Sequence, residues 1–144
     1  MEGMRGGRLL VLVMCMMVLA AGCTHPKPTA EEEKALAMFQ AVQQSLEASP
    51  AADAFARLLV QTESQLAILK QNPKASPCFV NALDKCFASY QIISKALHKK
   101  LGALDENRRQ DIEMALSFSS AFAAISLHQA EDCYKRSGGS GTIF

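Results

Sequence analysis

Proline divides this chain more sharply than any other residue. Beyond Pro28 it occurs only in the pairs Ser49-Pro50, Asn72-Pro73 and Ser76-Pro77. Serine before proline reads as a helix N-cap with proline at the first helical position, where its missing N–H costs nothing. Asn72-Pro73 reads as a stop, because the residue before proline is pushed out of the helical region. The segments so divided carry apolar residues at helical spacing, and none shows the period-2 alternation of a strand.

The first segment opens on a capping box, Thr29-Ala-Glu-Glu32, and sets Leu36, Phe39, Val42 and Leu46 on one stripe. The second has Phe55, Leu58, Leu59, Thr62, Leu66 and Leu69. In the third, Phe79, Leu83, Cys86, Tyr90, Ile93 and Leu97 alternate spacings of four and three, a seam suited to shallow-angle packing. Gly102 is available as a left-handed cap, and Asp105 or Asn107 can start a fourth helix that runs to about Lys135. Residues 137–144, beginning Ser137-Gly-Gly-Ser-Gly, read as a flexible tail. Four helices with short connections imply an all-α, up-and-down antiparallel four-helix bundle over residues 31–136.

Ahead of the bundle lies a different kind of sequence. Arg5 and Arg8 precede an uncharged run, Leu9 to Ala21, that ends Ala20-Ala21-Gly22-Cys23. Those 13 residues fall short of the ~20 that cross a bilayer, so the layout is that of a cleaved signal. The ending resembles the lipobox of bacterial lipoproteins, with Leu19 one place earlier than the usual leucine. The resemblance implies a signal peptide over residues 1–22, lipidation (palmitate among the chains) of Cys23, and a lipid-anchored place in the bacterial cell envelope. Thr24 after the cysteine implies the periplasmic face of the outer membrane, if the cell has two membranes. An ordinary cleavage at Ala20-x-Gly22 remains the alternative. Pro26 and Pro28 bias the tether, residues 23–30, toward an extended form that holds the domain within roughly 20 Å of the membrane.

Of 15 basic and 14 acidic side chains, Arg5, Arg8 and Glu2 fall in the leader, which leaves 13 of each. A neutral mature chain lacks the basic excess of a nucleic-acid binder. His98, Lys99, Lys100, Arg108 and Arg109 gather at the end of the bundle away from the tether. They suit a solvated turn near a helix C-terminus, or else a grip on an acidic partner. There is no glycine-rich phosphate loop, paired histidine, Cys-x-x-Cys or nucleophile elbow, so neither an enzyme nor a cofactor or metal site is expected.

Once Cys23 is set aside, Cys78, Cys86 and Cys133 remain in the mature chain. An exported protein should oxidise one pair. Cys78 and Cys86 lie ~12 Å apart along one helix, too far for a bridge. Counting outward from the turn at 102–106, Cys133 falls ~4.5 Å axially from the level of Cys78 but roughly 16 Å from that of Cys86. Cys78–Cys133 is therefore the expected disulfide, with Cys86 a small core residue.

Helix four is the anomaly. Between Glu113 and Glu131 it carries no full charge, and Met114 to Leu127 mixes large apolar residues with Ala and Ser. An outer helix usually shows a charged face. Leu116, Phe118, Phe122 and Ile125 are the candidates for contact with an envelope protein or a second copy, beside the plainer reading of a buried helix with an Ala/Ser surface. The function so implied is a membrane-anchored, non-enzymatic interaction module. In architecture it is similar to small helical lipoproteins that pilot envelope assemblies, such as secretin pilotins. A carrier of a small apolar ligand within the bundle is the alternative.

Overall fold

The computed structural model describes residues 27–100 and 105–139. They form four helices, α1 (Ala30–Glu47), α2 (Ala52–Gln71), α3 (Pro77–Lys100) and α4 (Glu106–Arg136), and no strand. The leader, Cys23, the tether as far as Pro26, the Gly102 turn and residues 140–144 lie outside the described residues. Among the described residues no helix is long and apolar enough to cross a membrane.

Neighbouring helices run antiparallel, as cross-links between their ends show. Asn72 Nδ2, beyond α2, donates to Glu31 Oε2 at the start of α1 (3.4 Å). His98 Nε2, near the end of α3, lies 3.4 Å from Asp53 Oδ1 at the start of α2. Cys78, at the start of α3, meets Cys133 near the end of α4. On the remaining side, Gln40 Nε2 of α1 donates to Glu131 Oε1 of α4 at 2.9 Å. The fold is the all-α four-helix bundle implied by the sequence.

Each apolar stripe turns inward. Phe39, Phe55, Phe79, Leu83, Cys86, Tyr90 and Ile93 are fully buried. Tyr90 organises the middle. Its ring lies 6.1 Å from that of Phe39 and 6.2 Å, edge to face, from that of Phe55. Its hydroxyl donates to Gln43 Oε1 at 3.1 Å, so this buried polar atom is satisfied. A carried apolar ligand would have to displace these rings.

The tether end is the most heavily joined. Thr29 Oγ1 accepts from Glu32 N–H (3.2 Å) and Glu32 Oε2 accepts from Thr29 N–H (2.7 Å), so the expected capping box forms. The second carboxylate oxygen, Oε1, accepts from Ser76 N–H at 2.8 Å. Ser76 directly precedes α3, so one buried carboxylate holds the N-termini of α1 and α3 together. Its negative charge suits both helix dipoles.

At Ser49 the sequence reading needs correction. Ser49 does not cap α2, which starts at Ala52 with Ala51 as an N-cap lacking a side-chain bond. Ser49 instead ends α1, in the left-handed region at φ 54°, its N–H donating to Leu46 O at 3.1 Å. Pro50 has no N–H to complete the second bond of a Schellman cap. A side chain in this conformation carries strain that glycine lacks. Ser49→Gly is expected to raise stability by about 0.5–1 kcal/mol in urea unfolding. A loss of stability would contradict the assignment.

The start of the expected tail is likewise structured. Gly138 takes φ 85°, Gly138 N–H donates to Lys135 O (2.9 Å) and Gly139 N–H to Tyr134 O (3.1 Å). That pair of bonds is a complete Schellman cap on α4.

Candidate functional site: the outer face of helix four

Residues of an α-helix follow one another at about 100° around the axis. On α4, Ser119, Ala123, Ser126, Leu127, Ala130, Cys133 and Tyr134 are buried, and they mark one side of that wheel. The opposite side carries Met114, Phe118, Phe122 and Ile125, exposed by 49%, 61%, 61% and 55%. These four fall within an arc of about 80°. Four small residues of α4, Ser119, Ala123, Ser126 and Ala130, thus face the core, where they let the helix approach closely, and four large apolar ones face outward.

Three of the four residues picked from sequence, Phe118, Phe122 and Ile125, are thereby brought onto one exposed ridge. Leu116 is a correction. It is only partly buried, but it packs against the core, because two positions separate it from both Met114 and Phe118 and turn it to the other side. Met114 takes its place, at the spacing of four before Phe118 that the sequence already displayed.

The ridge borders a seam with α3. Ile92, Lys95, Ala96, Lys99, Asp111, Ile112 and Ala115 line a groove of about 310 Å³, to which Ile92 gives an exposed apolar side chain. A second groove of about 450 Å³ follows at the α3–α4 turn, lined by Lys99, Arg108, Asp111 and Ile112.

The basic cluster at this end is partly engaged locally. His98 Nδ1 lies 2.8 Å from Ser94 O while its other nitrogen approaches Asp53. Arg108 Nε is 3.7 Å from Asp105 Oδ2, and Arg109 Nη1 is 3.2 Å from Glu106 Oε2. These are exposed pairs worth little to stability, and they leave the cations free to exchange partners. Asp105 also caps α4, accepting from Arg108 N–H at 2.9 Å.

The cysteines fall where the helix register places them. Cys78 and Cys133 stand at disulfide distance, with Cα atoms 6.0 Å apart. Cys86 faces Ala123, donating to its carbonyl at 3.4 Å. Burial pushes the Cys86 thiol up to about 12, against a partial lowering by its hydrogen bond with Tyr90. Burial also raises the Tyr90 phenol, and Cys86 adds to that rise.

A thiol so placed is a poor nucleophile. In the native protein Cys86 should resist maleimides at neutral pH and react only on unfolding. The shift has a stability consequence of definite sign. The thiol of the unfolded chain titrates at its ordinary value of 9.0 and so loses its proton first. Cys86 therefore favours the folded state below pH 9, and that contribution is lost as pH rises toward 12. Stability should fall from about pH 9 upward, and less steeply in Cys86→Ala. An identical slope in the variant would contradict this.

Among the described residues no group of three or more His, Cys, Asp or Glu side chains is placed to hold a metal ion. Compared with known proteins, the chain matches no family model, no curated protein and no solved structure.

Proposed function

We propose that this protein is a lipid-anchored, non-enzymatic module of the bacterial envelope that docks a protein on the outer face of α4. One observation carries the docking half of this reading. Four large apolar side chains, Met114, Phe118, Phe122 and Ile125, stand exposed together on one side of a helix whose other side fills the core. Single exposed apolar residues are ordinary, whereas a contiguous ridge of this kind marks an interaction surface. The anchoring half rests on Ala20-Ala21-Gly22-Cys23. Together they describe an assembly or piloting factor held at the outer membrane, its bundle stiffened at the tether end by Glu32 and by the Cys78–Cys133 pair.

The test is affinity capture from crosslinked membranes with the native chain, Phe122→Asp and Cys23→Ser. Stoichiometric capture of one protein, lost in Phe122→Asp and reduced in Cys23→Ser, is expected. Because Phe122 is exposed, the aspartate should leave the fold intact, which circular dichroism verifies. Unchanged capture by a folded Phe122→Asp chain would reject the docking face.

A further inference from the structure

Beside Met114, the exposed side of α4 carries a row of positions that complements its own reverse. Taking its outward positions in order from Asp111 gives Ala115, Phe118, Phe122, Ile125, Gln129 and Asp132, none of them buried. The spacings alternate four and three, which is the seam of a two-stranded coiled coil laid on the outside of the bundle. Reversed about position 120, the apolar members exchange places: 118 with 122, and 115 with 125. So do the polar ones: 111 with 129, and Arg108, three residues before Asp111, with 132.

We infer that the occupant of this face is a second copy of the chain, with the two α4 helices packed antiparallel about a two-fold axis beside residue 120. The inference rests on the reading of α4 as a docking face and names what docks there. In that register Phe118 stacks on Phe122 of the second copy, twice over by symmetry. Ile125 sits opposite Ala115, the small residue that lines the 310 Å³ groove between α3 and α4, so a large side chain meets the space to receive it. Asp111 faces the amide of Gln129, and Arg108 faces Asp132.

Charge selects this arrangement over its alternative. A parallel pairing would set Arg108 on Arg108, Asp111 on Asp111 and Asp132 on Asp132, three like-charge contacts, where the antiparallel pairing sets Arg108 on Asp132 and Asp111 on a neutral amide. Both members of the new ion pair are available. Arg108 is exposed and only loosely held by Asp105 at 3.7 Å, and Asp132 is partly exposed with His128 Nε2 at 3.7 Å. Such a dimer carries its tethers at opposite ends. If both copies are anchored in one bilayer, the bundles lie flat along it with the two-fold axis upright.

The test uses the full-length protein in mild detergent, followed by analytical ultracentrifugation over a concentration series. A concentration-dependent dimer is expected, abolished in Phe122→Asp. Arg108→Asp and Asp132→Arg should each weaken it by about tenfold, and the double reversal should restore it. Each replacement puts an acid in the first turn or a base in the last, which favours the helix, so weakening cannot be ascribed to loss of α4. A protein that stays monomeric throughout would overturn the inference, as would a double variant no better than the singles. A monomer that still captures one different protein through Phe122 would overturn the dimer and leave the docking face standing.

Discussion

Removing the Cys78–Cys133 link, by Cys78→Ala or by Cys133→Ala, is expected to lower stability by about 4 kcal/mol. The two residues are 55 apart in sequence, and their Cα separation of 6.0 Å lies in the ordinary range for a bridge. A closed loop of that size takes a large conformational freedom from the unfolded chain, and the size of the effect follows from loop length. The link also ties the start of α3 to the end of α4, where Phe79 and Tyr134 stack at 5.9 Å. Urea unfolding of the oxidised protein and the two variants checks this. Both single variants and the double variant should be equally destabilised, since all three lack the same bond. Variants within about 1 kcal/mol of the parent would mean that the pair is not bonded.

The second large effect is expected at Glu32. Glu32→Ala orphans two backbone donors at once, Thr29 N–H and Ser76 N–H, which the carboxylate holds at 2.7 and 2.8 Å. Bonds to a charged group are worth more than neutral ones, and a loss of about 3 kcal/mol is expected. Glu32→Gln should lose roughly half of that, because its amide keeps one acceptor and turns an N–H toward the other donor. Glu31→Ala, whose carboxylate makes a 3.4 Å contact with Asn72, is the control and should cost under about 1 kcal/mol. Native-state hydrogen exchange would add a local readout, with faster exchange at Ser76 in Glu32→Ala. An effect at Glu32 no larger than at Glu31 would contradict the clamp.

What the sequence disclosed and what it withheld follow a physical line. Helix type and core stripes were legible because Phe79, Leu83, Cys86, Tyr90 and Ile93 repeat with the helical period and all became fully buried. The approach of Cys133 to Cys78 was legible too, since an antiparallel hairpin of two regular helices fixes axial level by counting. Thr29 and Glu32 announced their mutual bonds, being three residues apart. The third bond of Glu32 did not show, because Ser76 is 44 residues away and only packing brings it there.

Ser49 misled for a different reason. Serine before proline suits the start of a helix, but it sits equally at the end of the previous one, and the helix boundary fell on the other side. On α4 the absence of charge signalled an unusual surface without revealing its direction. With apolar residues on both sides, the sequence offers no polar face to orient the wheel. Burial of Ala123, Ala130 and Cys133 against α3 and the core set that direction, which placed Leu116 inward and Met114 outward.

The most direct measurement is hydroxyl-radical footprinting of α4 in intact envelopes, compared with dilute purified protein. It reads whether the ridge is covered where the protein works, whatever covers it. Met114, Phe118 and Phe122 are expected to be strongly protected in envelopes, while exposed Val60 and Ile68 on α2 label equally in both samples. Equal labelling of the α4 ridge in the two samples would contradict its role as a docking face.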